Sequence, residues 1–226
     1  MKTPKKLIIF GTANTATFVH YYFVNDSDYV PAAFCADSKF ITKDSFLELP
    51  LLPFNEIEKK FSPKEYSFFC AVGGTELNKI RKDIYLKAKA KGYSMAGYIS
   101  SKAEIAKNVK IGEHCFIGKV KIFPNSTIGE NCIIMSDISH DSNIGAHCFI
   151  TTNVSMGGML KIGEQTCIGL NATIRDKIEI GEKNIIGAGT IILSSTAANA
   201  VFIQQATKPL KITSEAFLKF ESMREK

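Results

Sequence analysis

At 226 residues, with 45% hydrophobic and 22% charged residues, the chain has room for one large or two small domains and the composition of an ordinary soluble globular protein. Its formal net charge of +6 reads first as solubility and second as attraction to phosphate-bearing small molecules; no basic run is interleaved with aromatics, which excludes a nucleic-acid surface. Six cysteines, at positions 35, 70, 115, 132, 148 and 167, form neither a Cys-x-x-Cys pair nor a Cys/His cluster at zinc spacing, so a reduced cytoplasmic protein without a metal site is predicted.

Met1 to Lys6 carries the charge of a signal-peptide n-region, but the apolar run behind it stops at Phe10, too short for an h-region. No stretch is long enough to span a membrane. Leu7-Ile8-Ile9-Phe10 predicts a buried strand, and Gly11-Thr12-Ala13-Asn14 a turn into a helix with Ala16, Val19, Tyr22 and Phe23 on one face. Strand, glycine turn and helix open a Rossmann-like half, whose helix-start N–H groups face an anion. With only Gly11 of a G-x-G-x-x-G present, a tight turn without a ligand fits equally well. Val30 to Ala36 predicts a second strand ending at Asp37, where an acidic residue suits a ribose or base. Leu49 to Phe54, with its prolines, predicts an edge segment. Ser67 to Val72 predicts a strand before Gly73-Gly74, Asn78 to Lys91 a helix, and Tyr93 to Ser100 a last strand. The alternation argues a small parallel α/β domain over residues 1–102.

From Ala103 the period changes. Ile138, Ile144, Ile150, Met156, Ile162, Ile168, Ile174, Ile180, Ile186 and Ile192 recur every six residues, which neither a helix nor a flat strand produces. Period six is the hexapeptide pattern of a parallel β-helix, three hexads to a coil, here over residues 103–213. Ile144-Gly145, Ile162-Gly163 and Ile180-Gly181 repeat once per coil, and glycine after the inward residue is expected to permit the corner. Four cysteines fall in the repeat as small buried hydrophobes. Earlier hexads run through Ile105, Ile111, Ile117 and Phe123, then Ile128 and Ile134. Ile111 to Ile128 is seventeen residues and Ile128 to Ile144 sixteen, so those coils have clipped corners, which often sit beside sites. Residues 214–226 form a tail in which Ser214 to Glu221 predicts a short helix, capped by Ser214 and covering the open end of the coil.

An α/β domain joined to such a coil resembles the sugar acyltransferases that include nucleotide-amino-sugar N-acetyltransferases and sialic acid O-acetyltransferases. The stretches that carry the resemblance are Leu7 to Asn14, Ala71-Val72-Gly73 with Asn78 and Arg81, Val109 to Ile117, and Ile162-Gly163 through Asn171 to Asp176. The resemblance implies a left-handed β-helix, acetyl-coenzyme A as acyl donor, and a homotrimer with sites between subunits. It implies His140 as catalytic base, oriented by Asp141, with the Gly158 N–H holding the oxyanion. Gly158, Leu170 and Ala188 would supply backbone contacts to the coenzyme, and Gly11, Thr12, Ala13, Asn14 and Asp37 would hold the nucleotide of a sugar made for lipopolysaccharide or O-antigen.

The chemistry agrees: an amine attacking a thioester must lose a proton to a neutral imidazole, which a neighbouring carboxylate orients. His114 and His147, after Ile-Gly pairs, read instead as surface corner residues. Two departures stand out. The family's Gly-Lys-Pro-Ala-like loop is replaced by Gln204-Gln205-Ala206-Thr207-Lys208-Pro209, and the first turn lacks the family's fuller glycine pattern. O-acetylation of a sugar hydroxyl and a non-catalytic sugar-nucleotide binder are the alternatives. A hexapeptide carbonic anhydrase would need three converging histidines.

Overall fold

The structure is a computed structural model and describes residues 5–224, so the first four residues of the charged start lie outside the described residues. The α/β part comprises β1 (Lys5–Phe10), α1 (Asn14–Asn25), β2 (Tyr29–Ala36), β3 (Ser45–Phe46), β4 (Leu49–Pro53), α2 (Ile57–Lys60), β5 (Tyr66–Cys70), α3 (Lys79–Ala90) and β6 (Ser94–Met95). Its sheet runs β3-β4-β2-β1-β5-β6, parallel except for β3. β4 is therefore not the edge. β3 folds back on it through Leu47 and Glu48, both left-handed (φ 48° and 64°), a hairpin turn made without the usual Asn or Gly.

One sheet face packs α3 over Ile8, Cys35, Phe68 and Cys70. The other packs α1, through Ala16, Val19 and Phe23, over Leu7, Ile9, Phe34 and Phe69 and continues into Tyr98, Phe116 and Ile133 of the next part of the chain. The predicted strand over 93–100 is in fact two. β6 ends the sheet, and Tyr98–Ile99 (β7) pairs with Phe116–Ile117 as the first rung of the coil.

The coil is a three-sided parallel β-helix of two-residue strands. One face stacks seven strands from β7 to Val201–Phe202. A second stacks five, from Lys110–Ile111 to Glu179–Ile180. The third is interrupted: Glu104–Ile105 pairs with Lys121–Ile122, which bridges to Ile138, and pairing resumes only from Ser155–Met156. Ile138, Ile144, Ile150, Ile162, Ile168, Ile174, Ile180, Ile186 and Ile192 all point inward and are buried, each contributing roughly 1.5–3 kcal/mol.

The clipped coils are now explained. Ile122, not Phe123, is the inward residue, and Phe123 is exposed. Ile117 to Ile122 is thus a five-residue step and Ile134 to Ile138 a four-residue step.

The glycine after the inward isoleucine does not serve corner conformation, since none of Gly112, Gly129, Gly145, Gly163 and Gly181 has positive φ. A Cβ on Gly145 would lie 2.7 Å from Glu164 N of the next coil. The left-handed corner position comes two residues later and is held by His114, Asn131, His147, Gln165 and Lys183.

Of the cysteines, Cys115, Cys132 and Cys148 are buried and donate their thiols to the carbonyls of Gly129, Gly145 and Gly163, whereas Cys167 faces outward and is only partly buried. The final helix, α4 (Ser214–Arg224), is capped by Thr213, whose Oγ1 accepts from Ala216 N–H. It does not cover the coil: Leu210, Ile212, Phe217 and Leu218 are exposed, and Phe202 packs against the coil interior instead. None of the described helices is long and apolar enough to cross a membrane.

Candidate active site

Two regions carry the chemistry-bearing residues. The first lies at the carboxyl ends of β1, β2 and β5, where an open parallel sheet leaves a crevice. Gly11, Thr12, Ala13 and Asp37 line one cleft of about 640 Å³ there, with Lys39, Lys87, Glu76 and Asp83 around it. Gly11 is required: its φ is 125°, and a Cβ would crowd the Ala71 carbonyl at 3.1 Å. α1 starts behind this turn with no side-chain cap: Ala16 and Thr17 N–H donate to the Ala13 carbonyl, and the Asn14 and Thr15 N–H groups donate to no group among the described residues. Asn14 turns away from the cleft. With Thr15 it lines a neighbouring apolar cavity of about 350 Å³ formed by Phe18, Phe116, Phe149 and Leu170.

The cleft is fastened to the coil by groups that sequence reasoning misjudged. His114 and His147 are buried rather than surface corner residues, because β5 and α3 lie across their corner. His114 Nε2 accepts from Cys70 N–H (2.8 Å), so its Nδ1–H donates to Asn131 Oδ1 (2.9 Å). Asn131 Nδ2 then donates to His147 Nδ1 (2.8 Å). Burial holds the His114 imidazole down to about 3 and lowers His147 as well. Beside them Arg81, buried with no carboxylate partner among the described residues, donates to the carbonyls of Gly73, His147 and Cys148 and to Asn78 Oδ1. Burial lowers its affinity for the proton. Glu76, Leu77 and Asn78 are all left-handed, an uncommon run for non-glycine residues, and Asn78 is held by the Gln165 carbonyl (3.4 Å).

The second region is on another edge of the coil. His140 Nδ1 lies 2.7 Å from Asp141 Oδ2, and both side chains are about half exposed. Hydrogen bonds from His140 first, then Asn125, hold the Asp141 carboxyl below its ordinary range. Gly158 sits on the next coil directly under the imidazole: a Cβ there would lie 2.6 Å from Nε2. The Gly158 N–H donates to no group among the described residues, while its carbonyl accepts from Lys177 N–H.

The four-residue step ending at Ile138 explains the opening beside this pair. Among the described residues no backbone hydrogen bond joins Asp137 or Ser139 to Val154 or Met156, and a groove of about 370 Å³ opens between them. The structure thus brings His140, Asp141 and Gly158 together. Leu170 and Ala188, exposed and stacked on successive coils through Gly189 N–H to the Leu170 carbonyl, occupy a different edge. Asn125 was not singled out from the sequence; its place one coil before Asp141 was hidden by the clipped spacing.

The family described as hexapeptide repeat of succinyl-transferase matches residues 159–194. The acetyltransferase domain of PglB from Neisseria gonorrhoeae FA1090 superposes with a TM-score of 0.80 at 24% identity, covering 91% of this chain and 100% of that one. PerB from Caulobacter crescentus, solved in complex with CoA and GDP-perosamine, gives 0.78 at 22% identity over 88% of this chain and 94% of its own. These are left-handed β-helix proteins. The chain shares their fold. WeeI from Acinetobacter baumannii AYE gives 0.75 at 18% identity over 87% of this chain and 95% of its own. The bifunctional protein GlmU of Wolbachia pipientis wMel is 29% identical over 75 residues, and that match spans 32% of this chain but only 17% of the curated relative.

Proposed function

We propose that the protein transfers an acetyl group from acetyl-coenzyme A to the amino group of a nucleotide-linked deoxyamino sugar, in the cytoplasm, for surface-glycan synthesis. The observation that carries this reading is the His140 imidazole, oriented by Asp141 and standing over Gly158, whose N–H donates to no group among the described residues. His140 Nε2 takes the proton as the amine attacks the thioester carbonyl. Asp141 keeps the other ring nitrogen protonated and stabilises the imidazolium. The Gly158 N–H donates to the oxyanion, and coenzyme A leaves as the thiolate, with no covalent enzyme intermediate.

The crevice of Gly11, Thr12, Ala13 and Asp37 is read as a Rossmann-like nucleotide site, with the free amides at the start of α1 toward the phosphates, while Asn14 lines the neighbouring cavity and is left out of it. Two fold relatives support the ligand classes: the PglB domain was solved with acetyl coenzyme A, and PerB with CoA and GDP-perosamine. Leu170 and Ala188 stand on a different coil edge from His140, so one coenzyme touching all of them calls for the edges of two copies, in line with a homotrimer.

The test is thiol release from acetyl-coenzyme A with UDP-, dTDP-, GDP- and CMP-linked sugars, amino and non-amino, against a no-acceptor control. Release only with an amino sugar supports the reading and names the nucleotide. Release only with a hydroxyl acceptor reassigns the protein to O-acetylation. Silence across the panel counts against acetyl transfer to these acceptors.

A further inference from the structure

We propose that Asn125 is a positioning residue that sets the tautomer of His140, an assignment that rests on the reading of His140 as the base. Asn108, Asn125 and Asp141 occupy the same corner on three successive coils, at the seventeen- and sixteen-residue intervals of the clipped region. Their side chains form a one-way ladder. Asn108 Nδ2 donates to Asn125 Oδ1, and Asn125 N–H donates back to Asn108 Oδ1 (3.2 Å). With its oxygen so engaged, the Asn125 amide presents Nδ2 to Asp141 Oδ1 at 2.9 Å. Asp141 is also fixed through its backbone, left-handed at φ 56° and bonded by its N–H to the Pro124 carbonyl (2.9 Å).

The ladder ends there, because the next residue on that corner is Met159, whose side chain carries no amide. One carboxylate oxygen is therefore occupied by Asn125, and the other, Oδ2, is left to accept from His140 Nδ1–H at 2.7 Å. A carboxylate accepts only, so this bond requires the proton on Nδ1 and leaves the Nε2 lone pair over Gly158. Without the amide, the carboxylate can rotate toward water and the imidazole loses its fixed tautomer. Removing the hydrogen-bond partner that orients a metal-bound histidine changes activity by about 10–100-fold, and a loss on that scale is expected here.

The experiment compares ring 15N shifts of neutral His140 in the full-length protein for wild type, Asn125→Asp and Asn125→Gly, alongside kcat and KM in the assay above. Position 125 is exposed with φ 61°, which Asp tolerates and Gly prefers, so both variants should fold. Asp keeps the shape but cannot donate to Asp141; Gly removes the side chain. The expected result is an Nδ1-protonated ring in wild type, a mixture of tautomers in both variants, and kcat lower by about tenfold with KM little changed. Tautomer and kcat unchanged in both variants overturn the inference, even if His140→Ala is inactive. Full turnover by His140→Ala overturns the base reading and this inference with it. A merely structural Asn125 would change thermal stability and leave the ring shifts alone, which also overturns it.

Discussion

A Cβ on Gly158 would stand 2.6 Å from His140 Nε2, closer than any real side-chain carbon sits. A side chain at 158 would therefore have to displace the imidazole, and backbone conformation does not call for glycine there, since its φ is not positive. Gly158→Ala keeps the backbone N–H and should fold normally, but should push the ring off its position and lower kcat by up to about 10²–10⁴, the scale for a general base. Steady-state kinetics beside an unchanged circular dichroism spectrum would show this. An alanine variant with wild-type turnover would show that the chemistry does not need the imidazole in this place.

His140→Ala should lower turnover by about 10²–10⁴. Because the side chain is about half exposed and, among the described residues, bonds only to Asp141, the melting temperature should hardly move. Turnover at the wild-type rate would place the base elsewhere.

His114 makes a prediction about pH and stability. Its folded pKa is held to about 3, chiefly by burial, against 6.5 when exposed. The unfolded chain therefore binds a proton that the folded chain refuses. The contribution is fully present above about pH 6.5 and is lost progressively as pH falls toward 3. Urea midpoints should drop between pH 7.5 and pH 5, and His114→Gln should flatten that dependence while costing stability at neutral pH. The same pH slope in the variant would assign acid sensitivity to other groups.

The coil makes opposite predictions for two neighbouring kinds of position. Gly145→Ala places a carbon 2.7 Å from Glu164 N and should destabilise by about 1–3 kcal/mol, the usual cost of overpacking. Lys177→Gly, at φ 59°, relieves a left-handed lysine and should be neutral or stabilising by up to about 1 kcal/mol. Denaturant melts of both variants would check the pair, and a harmless Gly145→Ala would show that the coils can move apart.

The sixfold recurrence of isoleucine was enough to read the coil, because one inward residue per flat strand leaves a period no other architecture produces. The same recurrence placed the irregular coils, although it points to Phe123 as the inward residue where the structure has Ile122. The β3–β4 hairpin was invisible because Leu47 and Glu48 adopt a turn usually written with Asn and Gly. The burial of His114 and His147 could not be read from their Ile-Gly context, which is identical at corners facing water and at corners facing the α/β domain.

By itself, then, the sequence determined the local repeat, the parallel α/β alternation and the adjacent His140-Asp141 pair, all of which depend on neighbours close along the chain. Only the tertiary structure decided what stands beside what across coils: Gly158 under His140, Asn125 against Asp141, and Arg81 among the carbonyls of another part of the chain. The reason is physical. Stacking sets coil against coil at a distance of one strand spacing, and clipped corners change the residue interval that this spacing corresponds to, so contact across coils cannot be counted along the chain.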